Sequence, residues 1–157
     1  GPAIFSQERI GRDGKPFRIY KFRTMEVDAE KEGPKLYQHE NDQRITRIGK
    51  FLRSHHLDEL PQLWNVVKGD MAFIGPRPER KYFIDQIMEH DPRYELLYAI
   101  RPGVTSYATL HNGYTDTMEK MLKRLEMDLY YLEHQSLWMD IKILWYTFAN
   151  IVSGKIF

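Results

Sequence analysis

The chain has 157 residues, with 23 basic against 22 acidic side chains and no cysteine; this length suits a single domain with its own core. The near-neutral balance excludes a general nucleic-acid binder, and the absent cysteine excludes disulfides and thiolate metal sites. No run reaches the roughly 18 apolar residues of a membrane-spanning helix and no signal peptide is legible, yet Trp138, Trp145, Tyr146, Phe148 and Phe157 crowd the last third.

The chain opens at Gly1-Pro2-Ala3-Ile4-Phe5, hard against strand-like sequence, which reads as a piece excised from a longer protein. Residues 3–23 predict a β-hairpin, with Ile4–Ile10 and Phe17–Phe22 flanking the turn dipeptide Asp13-Gly14. Residues 26–43 are polar and predict a loop or a frayed helix. Thr46 is placed to cap a short helix with Ile48, Phe51 and Leu52 on one face. A second helix is expected from about Asp58, since Pro61 is tolerated only in a first turn. In it Leu60, Leu63, Trp64 and Val67 recur at helical spacing, and Gly69 is placed to stop it. Gly75-Pro76-Arg77-Pro78 predicts a stiff, extended loop. A helix follows from about Glu79 to Glu89, burying Phe83, Ile84, Ile87 and Met88. Pro102-Gly103 turns the chain into a strand over Val104–Leu110. Asp116 and Glu119 resemble a capping box ahead of a helical stripe from Met118 to Leu132. The last helix spans about Leu137 to Ser153, with Trp138, Ile141, Trp145, Phe148 and Val152 on one side. The expected class is α+β: one mostly helical domain over 1–157, with a small N-terminal antiparallel hairpin and a C-terminal amphipathic helix.

The chemistry concentrates between Arg53 and Pro78. Asp58 and Glu59 are adjacent carboxylates at an expected helix start, where unpaired N–H groups favour anions. Neighbouring side chains on a helix diverge by about 100°, so one carboxylate can face a phosphorus while the other holds a metal. Arg53 and Arg77 converging on Asp58 would lower its pKa and keep it ionised. They would also grip phosphate oxygens bidentately. A Mg²⁺ held by one carboxylate and two phosphate oxygens would offset the repulsion between an anionic nucleophile and a diphosphate. Taken singly, each feature has a plainer reading: the carboxylates as caps, Pro-Arg-Pro as loop stiffening, Arg53 as a solvated helix residue.

KPFRIYKFRTM (15–25), TRIGKFLRSHHLDELPQLWNVVKGDM (46–71) and FIGPRP (73–78) closely resemble the bacterial sugar transferase family. Its members are monotopic phosphoglycosyl transferases that start glycan assembly on polyprenyl phosphate. QERIGRDGKPF (7–17), RPGVTS (101–106) and DLYYLEHQSLWMDIKIL (128–144) also resemble it, so the likeness spans nearly the whole chain. The resemblance implies that Asp58 attacks the sugar-bearing phosphate of a UDP-sugar, expels UMP and forms an aspartyl phosphosugar. Polyprenyl (undecaprenyl) phosphate then takes the phosphosugar, with ping-pong kinetics. It implies Glu59, with Asp58 beside it, as the Mg²⁺ position, and Arg53 and Arg77 as phosphate contacts. Lys21 and Arg23 match a further motif near the site, and which of them points inward is left open. Pro76, Pro78 and Gln62 are supporting residues. The implied setting is the cytoplasmic face of the inner membrane, in the first membrane step of polysaccharide or glycoconjugate assembly. A homo-oligomer is left open.

Two departures from the family pattern stand out. The family carries a hydrophobic membrane-inserted helix ahead of the position of Gly1; this sequence lacks it, which predicts poor activity of the isolated chain on a lipid acceptor. TSYATLHNGY (105–114) departs from the common Thr-Gly start of that stretch, so the sugar is not named. His55 and His56 read either as surface neighbours or as phosphate contacts, and Asp70 either as a turn residue or a metal ligand. The Trp-rich last helix either packs on the domain or lies in the membrane interface, with Lys142 and Lys155 meeting anionic lipid. Two rival functions use the same residues differently: a Mg²⁺-dependent UDP-sugar hydrolase, and a non-catalytic membrane-docking module.

Overall fold

In the computed structural model of the chain, which describes residues 1–35, 42–112, 115 and 117–153, the hairpin forms as the turn chemistry predicts. Strand β1 (Ile4–Ile10) pairs antiparallel with β2 (Pro16–Phe22), setting Phe5 opposite Lys21 and Arg9 opposite Phe17. The turn needs left-handed backbone at Asp13 and Gly14, with φ of 61° and 71°, which Asp tolerates and Gly adopts freely. Residues 27–32 form turns, and part of the expected polar loop (36–41) lies outside the described residues.

Helix α1 (Arg47–Ser54) starts where expected, because the Gly49 N–H donates to the Thr46 hydroxyl at 2.9 Å. Gly49 lies against the Thr24 backbone, and a Cβ there would sit 2.0 Å from the Thr24 carbonyl oxygen. After α1 the expected continuous helix from Asp58 does not form. His56 turns left-handed at φ 55°, Leu57–Glu59 makes a single 3-10 turn, and helix α2 runs only over Gln62–Lys68. Pro61 stands at its N-cap, where its missing N–H costs nothing, and Gly69 ends it at φ 89°.

The apolar stripes of both helices face largely outward. Ile48 and Phe51 on α1 are exposed, as are Leu60, Leu63, Trp64 (58%) and Val67 (76%) along α2 and the turn before it. The buried side of α2 is polar, with Gln62 and Asn65 at its centre. Asn65 has no exposed surface because its amide completes the hydrogen bonding of β2. It donates to the Arg18 carbonyl at 2.7 Å and accepts from the Tyr20 N–H at 3.1 Å.

Two short strands were not both anticipated. Strand β3 (Ala72–Ile74) pairs in parallel with β4 (Gly103–Thr105), joining Ala72 to Gly103 and Ile74 to Thr105. The strand expected over 104–110 stops at Thr105, because the Ser106 hydroxyl accepts from the Thr109 N–H and helix α4 (Tyr107–Asn112) begins. Helix α3 (Lys81–His90) leads into a 3-10 stretch, Pro92–Ala99. Helix α5 (Met118–His134) is capped by Thr117, which accepts from Lys120; Asp116, of the expected capping box, lies outside the described residues. The core joins α3, the 3-10 stretch and α5 through Phe83, Ile84, Ile87, Tyr94, Leu97, Met121, Leu125 and Leu129. The α+β, mostly helical class holds.

Helix α6 (Leu137–Val152) starts at the Ser136 cap. Its Trp138, Ile141, Trp145, Phe148 and Val152 are exposed, so the reading in which this face packs on the domain fails. Ile143 is its buried anchor, and Lys142 lies over the Trp138 ring at 5.4 Å. Lys155 and Phe157 lie outside the described residues. Among the described residues no helix is long and apolar enough to cross a membrane.

Candidate active site

Several pieces of chain meet at one cavity of about 440 Å³. The hairpin contributes alternate residues of one face, Phe5, Gln7 and Arg9 from β1 with Ile19 and Lys21 from β2. The 3-10 turn supplies Asp58 and Glu59, and the Pro-Arg-Pro loop supplies Arg77 and Pro78. Arg53, from the last turn of α1, donates from Nε to the Thr24 hydroxyl at 2.9 Å. Among the described residues, eight Lys and Arg side chains line the cavity against five Asp and Glu. On a chain of net charge +1, this gathers positive charge where an anionic ligand would sit.

Asp58 is 7% exposed. Its pKa lies above the ordinary 3.8, because burial and the neighbouring Glu59 raise it more than Lys21 and Arg53 lower it. The sequence had suggested a lowered value from two arginines. Desolvation reverses that, and Lys21 with Arg53 are the cations favouring the ionised form. Lys21 Nζ lies 3.8 Å from Glu59 Oε1. Burial brings the Lys21 ammonium down to about 8 although Glu59 opposes it, and the nearby Arg77 and Arg9 charges add to the lowering.

The Arg77 loop is held on both sides. The Gly103 N–H donates to the Pro76 carbonyl at 2.9 Å, and Arg9 Nη1 donates to the Pro78 carbonyl at 3.0 Å. Gly75 is needed here, since a Cβ would meet the Arg101 carbonyl oxygen at 2.3 Å. The structure thus gathers Lys21, Arg53, Asp58, Glu59, Gln62, Arg77 and Pro78 around one space. Arg23 borders it too, but its Nε donates to the Pro2 carbonyl at 2.9 Å and its guanidinium lies over Phe5. Lys21 is therefore the inward partner of Glu59. His56 lines the cavity, whereas His55 is exposed and folds back on the Phe51 carbonyl and ring. Asp70 takes the turn role: its N–H donates to the Asn65 carbonyl and its carboxylate lies 3.6 Å from Lys68.

Sequence reasoning missed Arg9, Thr24 and Glu79 as cavity residues. The signal for Arg9 was available: strand alternation from Phe5, which sits opposite Lys21, leads through Gln7 to Arg9. For Mg²⁺, no cluster of three or more His, Asp or Glu side chains occurs among the described residues. Asp58 and Glu59 nonetheless fit the ion's usual demand of one or two carboxylates plus substrate phosphates. The rise that Glu59 causes in Asp58 is the repulsion a divalent cation would relieve.

The model of the bacterial sugar transferase family matches residues 1–154. The chain is 42% identical over 154 residues to a UDP-N-acetylgalactosamine-undecaprenyl-phosphate N-acetylgalactosaminephosphotransferase of Aeromonas hydrophila, covering 98% of this chain and 36% of that one. It is 45% identical over 149 residues to a UDP-glucose:undecaprenyl-phosphate glucose-1-phosphate transferase of Klebsiella pneumoniae, covering 94% and 32%. It is 34% identical to the uncharacterized sugar transferase EpsL of Bacillus subtilis, covering 98% and 72%. The chain spans about a third of the length of the first two relatives. On the family match over nearly its whole length, the chain belongs to the bacterial sugar transferase family.

Proposed function

We propose that this chain is the catalytic domain of a phosphoglycosyl transferase that moves a phosphosugar from a UDP-sugar to undecaprenyl phosphate and releases UMP. The observation that carries the reading is the buried Asp58, with the half-exposed Glu59 beside it, set among Lys21, Arg53 and Arg77 in one basic cavity. An Asp58 carboxylate oxygen attacks the phosphorus bearing the sugar, and the bond from that phosphorus to UMP breaks. The product on the protein is an acyl phosphate. A phosphate oxygen of the polyprenyl acceptor then attacks the same phosphorus, the bond to Asp58 breaks, and the carboxylate returns. Burial of Asp58 strips water from the nucleophile, and Lys21 and Arg53 favour its ionised form. Arg77, stiffened by Pro76 and Pro78, holds phosphate oxygens. Bound Mg²⁺, held by Glu59 with Asp58 beside it, supplies charge neutralisation of the diphosphate.

The acceptor is a lipid, and the outward apolar faces support a membrane setting. Leu60 just before α2, Leu63 within it, and Ile151 of α6 are exposed and also border the cavity with Asp58. Such faces lie well in a bilayer interface, with the cavity mouth at the lipid headgroups. The reading places the domain on the cytoplasmic face of the inner membrane, where it starts a bacterial polysaccharide or glycoconjugate. The test is transfer by membranes carrying the full-length protein, given a UDP-sugar with and without polyprenyl phosphate. UMP release and a lipid-linked product that both need the acceptor, and are lost in Asp58→Asn, support it. Free sugar phosphate formed at the same rate without acceptor would favour a hydrolase instead.

A further inference from the structure

Among the cavity carboxylates with no part in the steps above, Glu79 is the most deeply buried. Glu79 follows the Arg77 loop directly, is 5% exposed, and has both oxygens engaged. Its Oε2 accepts from Arg124 Nη2 at 2.8 Å, and its Oε1 accepts from the Arg80 N–H at 3.0 Å and lies 3.7 Å from Arg9 Nη1. Arg124, 4% exposed, reaches Thr115 with its other terminal nitrogen. Arg9 also grips the Pro78 carbonyl, and the Ile10 N–H donates to the Glu79 carbonyl at 3.0 Å. The network therefore ties β1 and α5 to the residues on the C-terminal side of Arg77.

We propose that Glu79 is a positioning residue for Arg77, anchoring the Pro-Arg-Pro loop through its buried pairs with Arg9 and Arg124. The inference rests on the reading of Arg77 as a diphosphate contact. Stability alone gives weak reason for such a network, since well-packed apolar groups often serve a core equally well. Its placement gives a better reason. Arg9, Arg77 and Arg124 all act on Glu79, and without its charge three guanidinium groups would repel one another beside the cavity. Burial would raise Glu79, but these arginines outweigh it and hold its carboxyl at about 2, so the countercharge persists throughout the neutral range.

The test is a double-mutant cycle on UDP affinity in the full-length protein, with Glu79→Gln, Arg77→Ala and the pair, alongside thermal melts. Glu79→Gln is expected to weaken UDP binding by about tenfold or more, as loss of a charged hydrogen bond does. In the Arg77→Ala background the same change is expected to have no further effect. Glu79→Asp, which keeps the charge, is expected to recover part of the affinity. Two independent, multiplying effects, or unchanged UDP affinity in Glu79→Gln, would overturn the proposal. If Glu79→Gln fails to fold, Glu79→Gln with Arg124→Gln removes both charges of the buried pair and is read in the same cycle. A wild-type protein that binds UDP yet transfers nothing to polyprenyl phosphate would defeat the transferase reading and leave the Glu79–Arg77 coupling to be read on its own.

Discussion

Trp145→Glu is expected to loosen this chain from anionic phospholipid vesicles by more than tenfold. The ring is 65% exposed at the centre of the α6 aromatic face. A tryptophan carries up to about 250 Å² of surface, so roughly 160 Å² of it stands in water. At about 25 cal/mol per Å², full withdrawal from water is worth about 4 kcal/mol. Interfacial seating at half depth keeps about 2 kcal/mol, or roughly thirtyfold in partition coefficient, and the introduced carboxylate adds repulsion from the anionic surface. Trp64→Glu, at a site 58% exposed on α2, tests the second outward face in the same way. The assay is vesicle sedimentation over a lipid titration, with circular dichroism to establish folding. Unchanged partition of both folded variants would refute the interfacial reading of these helices.

Two further substitutions probe the fold beneath the site. Asn65→Ala removes the acceptor for the Tyr20 N–H and the donor to the Arg18 carbonyl. Leaving those two backbone groups unpaired is expected to cost about 3 kcal/mol in urea unfolding; a loss under about 0.5 kcal/mol, the level of an ordinary surface change, would show that the amide is not the staple between α2 and β2. Asp128 is buried in α5, and desolvation raises its pKa from 3.8 to about 7 although Arg124 opposes it. The folded state thus keeps a proton that the unfolded chain releases. Its contribution is fully present below about pH 4 and declines up to about pH 7, with a limiting slope of about 1.4 kcal/mol per pH unit. Asp128→Asn removes that decline, so between pH 5 and 7 the wild type is expected to lose more stability than the variant. Parallel losses would contradict this assignment.

The parts legible in the sequence were those fixed by local chemistry. Asp13-Gly14 set the hairpin, Thr46 capped α1, Gly69 ended α2, and two prolines stiffened the Arg77 loop. The site residues were legible through family-like blocks, and the fold brings nearly all of them to one cavity. Periodicity left the orientation of α2 open because it reports that a helix has an apolar stripe, not what the stripe meets. The opposite face was claimed by Asn65, whose partners Arg18 and Tyr20 lie more than forty residues away in sequence. The same distance hid the Glu79–Arg124 pair. Spacing showed charges near Asp58 but not its burial, so the direction of its pKa was misjudged. The β3–β4 pair is three residues long on each side, too short for alternation to register.

In the proposed reaction Asp58 carries the phosphosugar. The most direct measurement is the intact mass of the full-length protein after incubation with Mg²⁺ and a panel of UDP-sugars, with no lipid acceptor. The expected result is a gain of one phosphosugar, absent in Asp58→Asn and discharged when polyprenyl phosphate is added. A folded, donor-binding wild type that gains no mass, or an Asp58→Asn variant that gains it equally, would rule out Asp58 as the nucleophile.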